Sequence, residues 1–339
     1  MVALVALALV ALAGCKGGGH PAAAPDASAT SGASTAKGPG ALSTSVDNPK
    51  LDTCDDLGIL PCARQVNRVL LPIAGSSLQL VYSSDRQPGR RADAAPAAAP
   101  VGLGGWSISD LPGYDPATKS EILPQGAVRK ITGSSIGAAF AVVDPAGATA
   151  TEFDKQGRAM TTVDAVTGAT VATFTWTAAG LATVTDGSDA TLKIGRDQAG
   201  NPTSLSVTGT SPMTLTSTSG ELTGVFYPNG NNVQLSAGSN GLLTSITDWN
   251  GLTTTYTYDS GGRLGGRYDP TGALTRYTRT DATNTATVTT SNPSGTTTSD
   301  SVSLADGTTT YTHRDADGAT STVAANGATR TVTSSGATT

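Results

Sequence analysis

Short apolar stretches with a two-residue period, separated by glycine-rich turns, run through the chain from about residue 69 onwards. Leu78, Leu80 and Tyr82 stand at every second position, which predicts a strand with one buried face. Trp106 follows a group of glycines and is predicted to anchor a core. Thr and Val fill many of the intervals, and both residues fit a pleated strand better than a helix. The pattern therefore predicts an all-β fold.

Two interleaved series of glycines give these strands a period near 21 residues. A fixed period of this length is typical of tandem repeats, in which each unit is one supersecondary element. The intervals between the two series hold one short strand each, so each unit is predicted to be a β-hairpin. Glycine suits such turns because it adopts a positive φ at no steric cost. The predicted turn glycines are Gly157, Gly180, Gly200, Gly220, Gly241 and Gly262 in one series, and Gly187, Gly209, Gly230, Gly251 and Gly272 in the other.

Residues around these glycines support the hairpin prediction. Aspartate often precedes the glycine, as Asp259 precedes Gly262, and its side chain accepts hydrogen bonds from nearby backbone amides. Apolar residues three apart follow the first glycine series, as in the pair Leu222 and Val225. Strict alternation would place such a pair on opposite faces, so a β-bulge is predicted between them.

The most complete repeat runs from residue 248 to residue 264, with the sequence DWNGLTTTYTYDSGGRL. It resembles the signature of the RHS/YD-repeat (teneurin-like) family. An apolar Pro72–Gly75 segment, the run from Tyr82 to Arg86 and the Gly-Trp pair ending at Trp106 are similar to the elements that precede the repeats in that family. The signature positions in this chain are Tyr256, Tyr258, Asp259, Gly262, Arg263 and Leu264.

The resemblance implies tandem β-hairpin repeats that form a curved or spiralling antiparallel sheet. In the family such sheets build a hollow shell around a polypeptide, and the few repeats of this chain imply a partial shell. Family members often end in a self-cleavage module and a toxin. Asp269-Pro270 is only a repeat turn here, and no segment of this sequence resembles either module.

The first residues resemble an export signal. The apolar run 2–13 is too short to span a bilayer, and it leads into Leu12-Ala13-Gly14-Cys15, which is similar to a bacterial lipobox. This predicts lipidation of Cys15, which two acyl chains would make a stable anchor. A plain secretion signal or a core helix is the alternative. Because Lys16 rather than Asp follows the cysteine, the outer membrane of a two-membrane cell, on its periplasmic or cell-surface face, is the expected location.

A further pair of cysteines lies beyond the anchor. Cys54 and Cys62 are predicted to form a disulfide in an oxidising compartment, with two free thiols as the alternative. The predicted domains are a lipoprotein signal peptide (1–14), a flexible Gly/Ala/Ser/Pro tether (15–50), an N-terminal β region (51–150), hairpin repeats of about 21 residues (151–279) and a threonine-rich segment of degenerate β repeats (280–339).

Charge and residue types exclude several functions. The net charge is −5 and no basic run exceeds the pair Arg90–Arg91, which argues against a nucleic-acid partner. Three cysteines and two distant histidines, His20 and His313, cannot assemble a zinc site of ordinary spacing. Neither histidine lies near a nucleophile motif, and the carboxylates recur at turns. The sequence therefore predicts no catalytic residue, no metal and no cofactor.

These observations favour a non-enzymatic, membrane-anchored, exported scaffold or shell fragment that wraps, displays or binds another polypeptide. The alternative is a surface adhesin that binds carbohydrate with the same sheet. Tyr256 and Tyr258 could stack on a sugar, but packing on the face of a strand is the favoured interpretation for both.

Overall fold

The structure, a computed structural model, describes residues 66–84, 101–115, 120–122, 128–130, 135–136, 139–143, 148–326 and 329–336. All of them belong to one compact unit, Lys37–Thr339. The regular elements within these ranges are β-strands, as the sequence predicts. The described part of the chain contains no helix that is long and apolar enough to cross a membrane. The predicted lipidation site Cys15, the tether, and both Cys54 and Cys62 lie outside the described residues.

Two small antiparallel sheets precede the repeats. The first has the order β1 (Arg68–Pro72), β2 (Gln79–Ser83) and β3 (Trp106–Ile108). The second has the order β4 (Gly113–Asp115), β5 (Ser120–Ile122) and β6 (Val128–Lys130). Trp106 is buried and its ring centroid lies 5.3 Å from that of Tyr82, so its predicted role as a core anchor is confirmed.

Strand β2 is buried on both faces, whereas the sequence predicts one buried face. Val81 and Ser83 are buried on one face as fully as Leu80 and Tyr82 are on the other. The backbone amide of Ser83 donates a hydrogen bond to the carbonyl of Gly105 at 3.0 Å, whereas its buried hydroxyl has no hydrogen-bond partner among the described residues. Alternation alone cannot reveal this, because a small polar residue is compatible with either environment.

One long antiparallel sheet follows, in which each strand from β7 to β26 pairs with the next one along the chain. Its first strands are β7 (Ser135–Ile136), β8 (Ala139–Val143), β9 (Thr149–Phe153), β10 (Ala159–Asp164), β11 (Thr170–Thr177), β12 (Gly180–Asp186) and β13 (Thr191–Arg196). They continue as β14 (Pro202–Val207), β15 (Met213–Thr218), β16 (Glu221–Phe226), β17 (Asn232–Ala237), β18 (Leu243–Thr247), β19 (Thr253–Tyr258) and β20 (Leu264–Tyr268).

The last strands are β21 (Leu274–Ala282), β22 (Thr285–Ser291), β23 (Thr297–Ala305), β24 (Thr308–Arg314), β25 (Thr320–Asn326) and β26 (Thr329–Ser335). Within the described ranges β26 pairs only with β25 and β7 only with β8, so the sheet is open. It begins at Ser135, upstream of the boundary predicted at residue 151. The strands before that boundary lack the glycine period, which is why the sequence does not reveal them as part of the same sheet.

The predicted bulges are confirmed. In each of four strands one residue has no partner across the ladder, and these residues are Ala182, Thr223, Thr244 and Gly265. The extra residue restores Leu222 and Val225 to the same face, where both are buried. The apolar residues three apart therefore belong to one core.

The side of the sheet that carries Leu222 and Val225 packs against β1–β3. Leu80 and Tyr82 from the N-terminal strands share one hydrophobic cluster with Leu243 and other repeat residues. We call this the core-facing side, and the opposite side the outer side. The core thus forms between the repeats and a segment that precedes them in sequence.

The threonine-rich strands β21–β26 are regular. β21 and β23 have nine residues each, and the pairing from β21 to β26 contains no register shift. Ala286, Val302, Tyr311 and Val323 pair directly with one another across the strands and form a second buried cluster. One apolar residue per strand is enough here, because threonine itself favours the strand conformation.

The second cluster lies on the core-facing side. Residues paired directly across an antiparallel ladder share a face. Tyr256 packs on the first core and pairs with Arg267, which pairs with Thr275. Thr275 shares its face with Tyr277, which packs on the second cluster. The core-facing side therefore continues past the N-terminal strands.

Candidate functional site

The contact between the N-terminal strands and the repeats centres on the backbone of Leu243. The amide of Leu243 donates a hydrogen bond to the hydroxyl of Tyr82 at 2.9 Å. The hydroxyl of Tyr258 donates to the carbonyl of Leu243 at 2.7 Å, and the side-chain amide of Asn67 donates to that hydroxyl at 2.6 Å. β19 pairs with β18 only from Ser245 onwards, so these groups of Leu243 lie outside that ladder. The two tyrosines satisfy them instead.

The surroundings of Tyr82 are apolar. Burial raises the pKa of its hydroxyl well above the ordinary value, and the charge that Tyr258 would carry acts in the same direction. The hydrogen bond with Leu243 acts against that shift but does not cancel it. Tyr82 therefore stays neutral and serves as a hydrogen-bond acceptor inside the core.

Glycines bring the N-terminal backbone close to the repeats. Gly104 has φ +57°, and a methyl group added there would overlap the carboxylate of Glu221. Gly75 has φ +78°, and a methyl group there would overlap the side chain of Thr210. The amide of Ala74 beside it lies 3.1 Å from the sulfur of Met213. The close approach thus depends on the missing side chains at both turns.

The family signature residues build this contact and the turn beside it. Tyr256 packs against the core and is hydrogen-bonded to Arg267, while Tyr258 belongs to the Leu243 network. The structure therefore shows strand-face packing for Tyr256 and hydrogen bonds of the hydroxyl for Tyr258. Asp259 accepts a hydrogen bond from the amide of Arg263 at 2.8 Å, and Gly262 donates to the carbonyl of Asp259 at 3.0 Å. The next residue, Leu264, is buried.

The predicted turn glycines lie in the turns between strands, except Gly180, which is the first residue of β12. A positive φ occurs at Gly157, Gly180, Gly200, Gly209, Gly220, Gly230, Gly241, Gly251, Gly262 and Gly272. Gly187 also lies in a turn, but the residue with positive φ there is Asp189, at 64°. The carboxylate of Asp186 accepts hydrogen bonds from the amides of Ser188 and Ala190, so the turn closes with a different residue in the left-handed region.

A histidine between two carboxylates lies on the core-facing side of the last strands. The Nδ1 atom of His313 lies 2.6 Å from Oδ1 of Asp300, its neighbour across the β23–β24 ladder. Its Nε2 atom lies 2.9 Å from Oδ1 of Asp315 in the following turn. Ser321 is the neighbour of His313 on β25, but Asp315 rather than that hydroxyl occupies Nε2.

The surroundings of His313 and Asp300 shift the pKa of both side chains. Partial burial alone would lower the pKa of His313, but the hydrogen bonds and charges of Asp300 and Asp315 outweigh it and raise the pKa. Burial raises the pKa of Asp300, against the opposing effect of His313. Sequence reasoning found no role for His313, because the pairing register that brings Asp300 beside it has no local signal. No set of three His, Cys, Asp or Glu side chains suited to a metal ion occurs in the described part of the chain.

Comparison with known proteins identifies the repeats. The family model Teneurin YD-shell matches residues 138–339. Teneurin-1 of Gallus gallus is 31% identical to this chain over 141 residues, which are 41% of this chain and 5% of that protein. The chain thus spans a small part of that relative.

Solved structures of TcdB2-TccC3 are also similar. The form without its hypervariable C-terminal region has 11% sequence identity and a TM-score of 0.28, over 59% of this chain and 16% of that chain. The TcdB2-TccC3-Cdc42 structure has 12% identity and a TM-score of 0.28, over 80% of this chain and 20% of that one. A TM-score of 0.28 does not define the shape of the sheet in this protein. The family model nevertheless matches more than half of the chain, so this protein belongs to the teneurin YD-shell family.

Proposed function

We propose that this protein is a non-enzymatic, exported scaffold, anchored by a lipid on Cys15, that wraps another polypeptide on the core-facing side of its sheet. The observation that supports this role is that the same side already holds an extended polypeptide, the strands β1–β3 of the chain itself. Apolar contacts and the hydrogen bonds around Leu243 hold these strands in place. A surface that accepts one set of strands this way has the chemistry to accept another.

The core-facing side extends beyond the N-terminal strands. The row from Ala286 to Val323 continues at Val332 on β26, which pairs with Val323 and is 56% exposed. Charged groups such as His313 stand on the same side. A surface with both apolar and charged positions suits a polypeptide better than a uniformly apolar ligand.

Two observations support a role without catalysis. The YD-shell is a scaffold architecture, and the aspartates beside His313 occupy both ring nitrogens. A histidine bound in this way is not positioned to activate a hydroxyl or a water molecule. We expect purified protein to show no hydrolase or peptidase turnover above a buffer control. Turnover that the substitution His313→Ala abolishes would contradict this.

Site-specific photo-crosslinking in the native cell tests the wrapping role. A photoreactive amino acid at Val332 faces the core side, and one at Thr333 on the same strand faces the outer side. Both positions are exposed, so they form a matched pair. We expect a cross-linked polypeptide from position 332 and none from position 333. Equal cross-linking at both positions, or none at either, would contradict the proposed function.

A further inference from the structure

Three aromatic side chains are exposed along one rim of the sheet. Phe226 is 42% exposed, Trp249 53% and Tyr268 37%, and no other aromatic residue in the described ranges is exposed to this degree. Phe226 ends β16, Trp249 lies in the turn between β18 and β19, and Tyr268 ends β20. Alternate turns of an antiparallel meander lie on the same rim. The three aromatic residues therefore follow one another along that rim.

Their placement has the period of the repeat. Phe226 and Tyr268 hold equivalent positions two repeats apart, each two residues after a glycine, Gly224 or Gly266. Phe226 follows the buried Val225 and therefore lies on the outer side, where its ring approaches Gly224. Successive turns on a rim are separated by two strands, which is about 9.6 Å across the ladder. Each of these three successive turns on the rim thus has one exposed aromatic side chain in it or beside it.

The polar groups along this rim are mostly neutral. The segments 226–232, 247–253 and 268–274 contain four asparagines and three threonines, and they contain no lysine or arginine. Their charged residues are Asp248 and Asp269, whose carboxylates accept hydrogen bonds from the amides of their own turns. The rim therefore offers flat apolar faces beside amide and hydroxyl groups.

We propose that this rim binds an extended, neutral polysaccharide, whose sugar rings stack on Phe226, Trp249 and Tyr268. The flat face of a pyranose ring packs on an aromatic ring, and its hydroxyl groups bind amides such as that of Asn250. In a β-1,4-linked chain like faces recur once per disaccharide, a distance close to the separation of two strands. A polymer of identical units matches a periodic row in a way that an irregular protein surface does not.

Other partners fit this rim less well. Nucleic acid and anionic membranes are recognised largely by lysine and arginine, which these segments lack. A peptide that adds to a sheet as a further strand needs a free edge, whereas β16 to β20 are paired with a neighbour on both sides. The rim lies apart from the core-facing side, so this activity is additional to the proposed scaffold role and independent of it.

Depletion of the full-length protein from solution by insoluble polysaccharide tests the inference. The probes are cellulose and chitin, with polygalacturonate and phosphatidylcholine–phosphatidylglycerol vesicles as competing partners. We expect binding to cellulose or chitin, and we expect Trp249→Ala to raise the Kd about tenfold, which corresponds to about 1.4 kcal/mol of binding free energy. Trp249→Tyr should retain most of the binding because it keeps an aromatic ring.

The control variant is Leu252→Ala. Leu252 is 52% exposed in the same turn, but it offers no flat ring, so its loss should leave polysaccharide binding within about twofold. Failure to bind either neutral polysaccharide would overturn the inference, as would binding that Trp249→Ala leaves unchanged. Binding to the vesicles alone, weakened equally by Trp249→Ala and Leu252→Ala, would assign the rim to membrane contact instead. None of these results affects the cross-linking at Val332, which tests the scaffold role separately.

Discussion

The hydroxyl of Tyr82 accepts a hydrogen bond from the backbone amide of Leu243 at 2.9 Å, although 161 residues separate the two in sequence. Tyr82 lies on a central N-terminal strand and Leu243 begins β18 in the repeats. The bond therefore joins the N-terminal strands to the sheet against which they pack. It also satisfies a backbone amide that the β18–β19 ladder does not reach.

Removal of this hydroxyl should destabilise the protein. In Tyr82→Phe the buried amide of Leu243 loses its acceptor, and we expect the free energy of unfolding to fall by about 1–3 kcal/mol. Urea denaturation followed by fluorescence measures the change. Tyr268→Phe is the matched control, because it removes a hydroxyl from an exposed tyrosine and should change stability by less than about 0.5 kcal/mol. Equal effects of the two substitutions would show that the Leu243 bond is not a stabilising contact.

A repeat turn should depend on the backbone conformation of its glycine. Gly251 has φ +79°, and no other group lies within 4 Å of the position that a Cβ atom would take. The cost of Gly251→Val is therefore conformational rather than steric crowding, and we expect a loss of about 1–3 kcal/mol in the free energy of unfolding. Gly251→Asn should cost less, because asparagine enters the left-handed region more readily. Thermal denaturation measures the stability of the two variants. Equal losses of stability for Gly251→Val and Gly251→Asn would contradict a conformational cost at this position.

Stability should fall as the pH rises through the neutral range, because of His313. Its pKa is raised in the folded protein, so its contribution is fully present below the unfolded pKa of about 6.5 and is lost as the pH rises through the folded pKa. The raised pKa of Asp300 acts with the same sign at lower pH. We expect the Tm of the native protein to decline as the pH rises above about 6.5. His313→Gln should flatten that decline, and parallel pH profiles for the two proteins would contradict the assignment.

Membrane attachment should depend on a single thiol. Lipidation needs the sulfur of Cys15, so Cys15→Ser should move the protein from the membrane fraction to the soluble fraction of the cell envelope. Cys54→Ser is the control, since it removes a cysteine without altering the lipobox. Immunoblots of fractionated cells measure both variants. Retention of Cys15→Ser in the membrane fraction would exclude lipidation at this residue as the anchor.

Thiol labelling tests the predicted disulfide between Cys54 and Cys62. If Cys54 and Cys62 are joined, neither should react with maleimide in unreduced protein exported by the native cell, and both should react after reduction. Mass spectrometry of the peptide that carries them distinguishes the two states. Labelling of both thiols without reduction would leave the alternative of two free cysteines.

The sequence by itself determined the local features of the fold. A turn needs a residue that tolerates positive φ, and a strand needs alternating burial, so the period near 21 residues carried both signals directly. The bulge beside Leu222 followed from the same reasoning, because the spacing of two apolar residues conflicts with plain alternation. Gly187 marks the limit of such reasoning, since Asp189 takes the left-handed conformation in that turn.

Only the tertiary structure decided which distant groups meet. Tyr258 stands out in the sequence as a family signature residue, but its partners Asn67 and Leu243 carry no local mark of that contact. Asp300 and His313 come together because the β23–β24 register aligns them, and a shift of one residue would place them on opposite faces. Turns and strands are encoded by neighbouring residues. Contacts across the sheet depend on pairing register and on how the sheet packs against the strands that precede it, and these arise only when the whole chain folds.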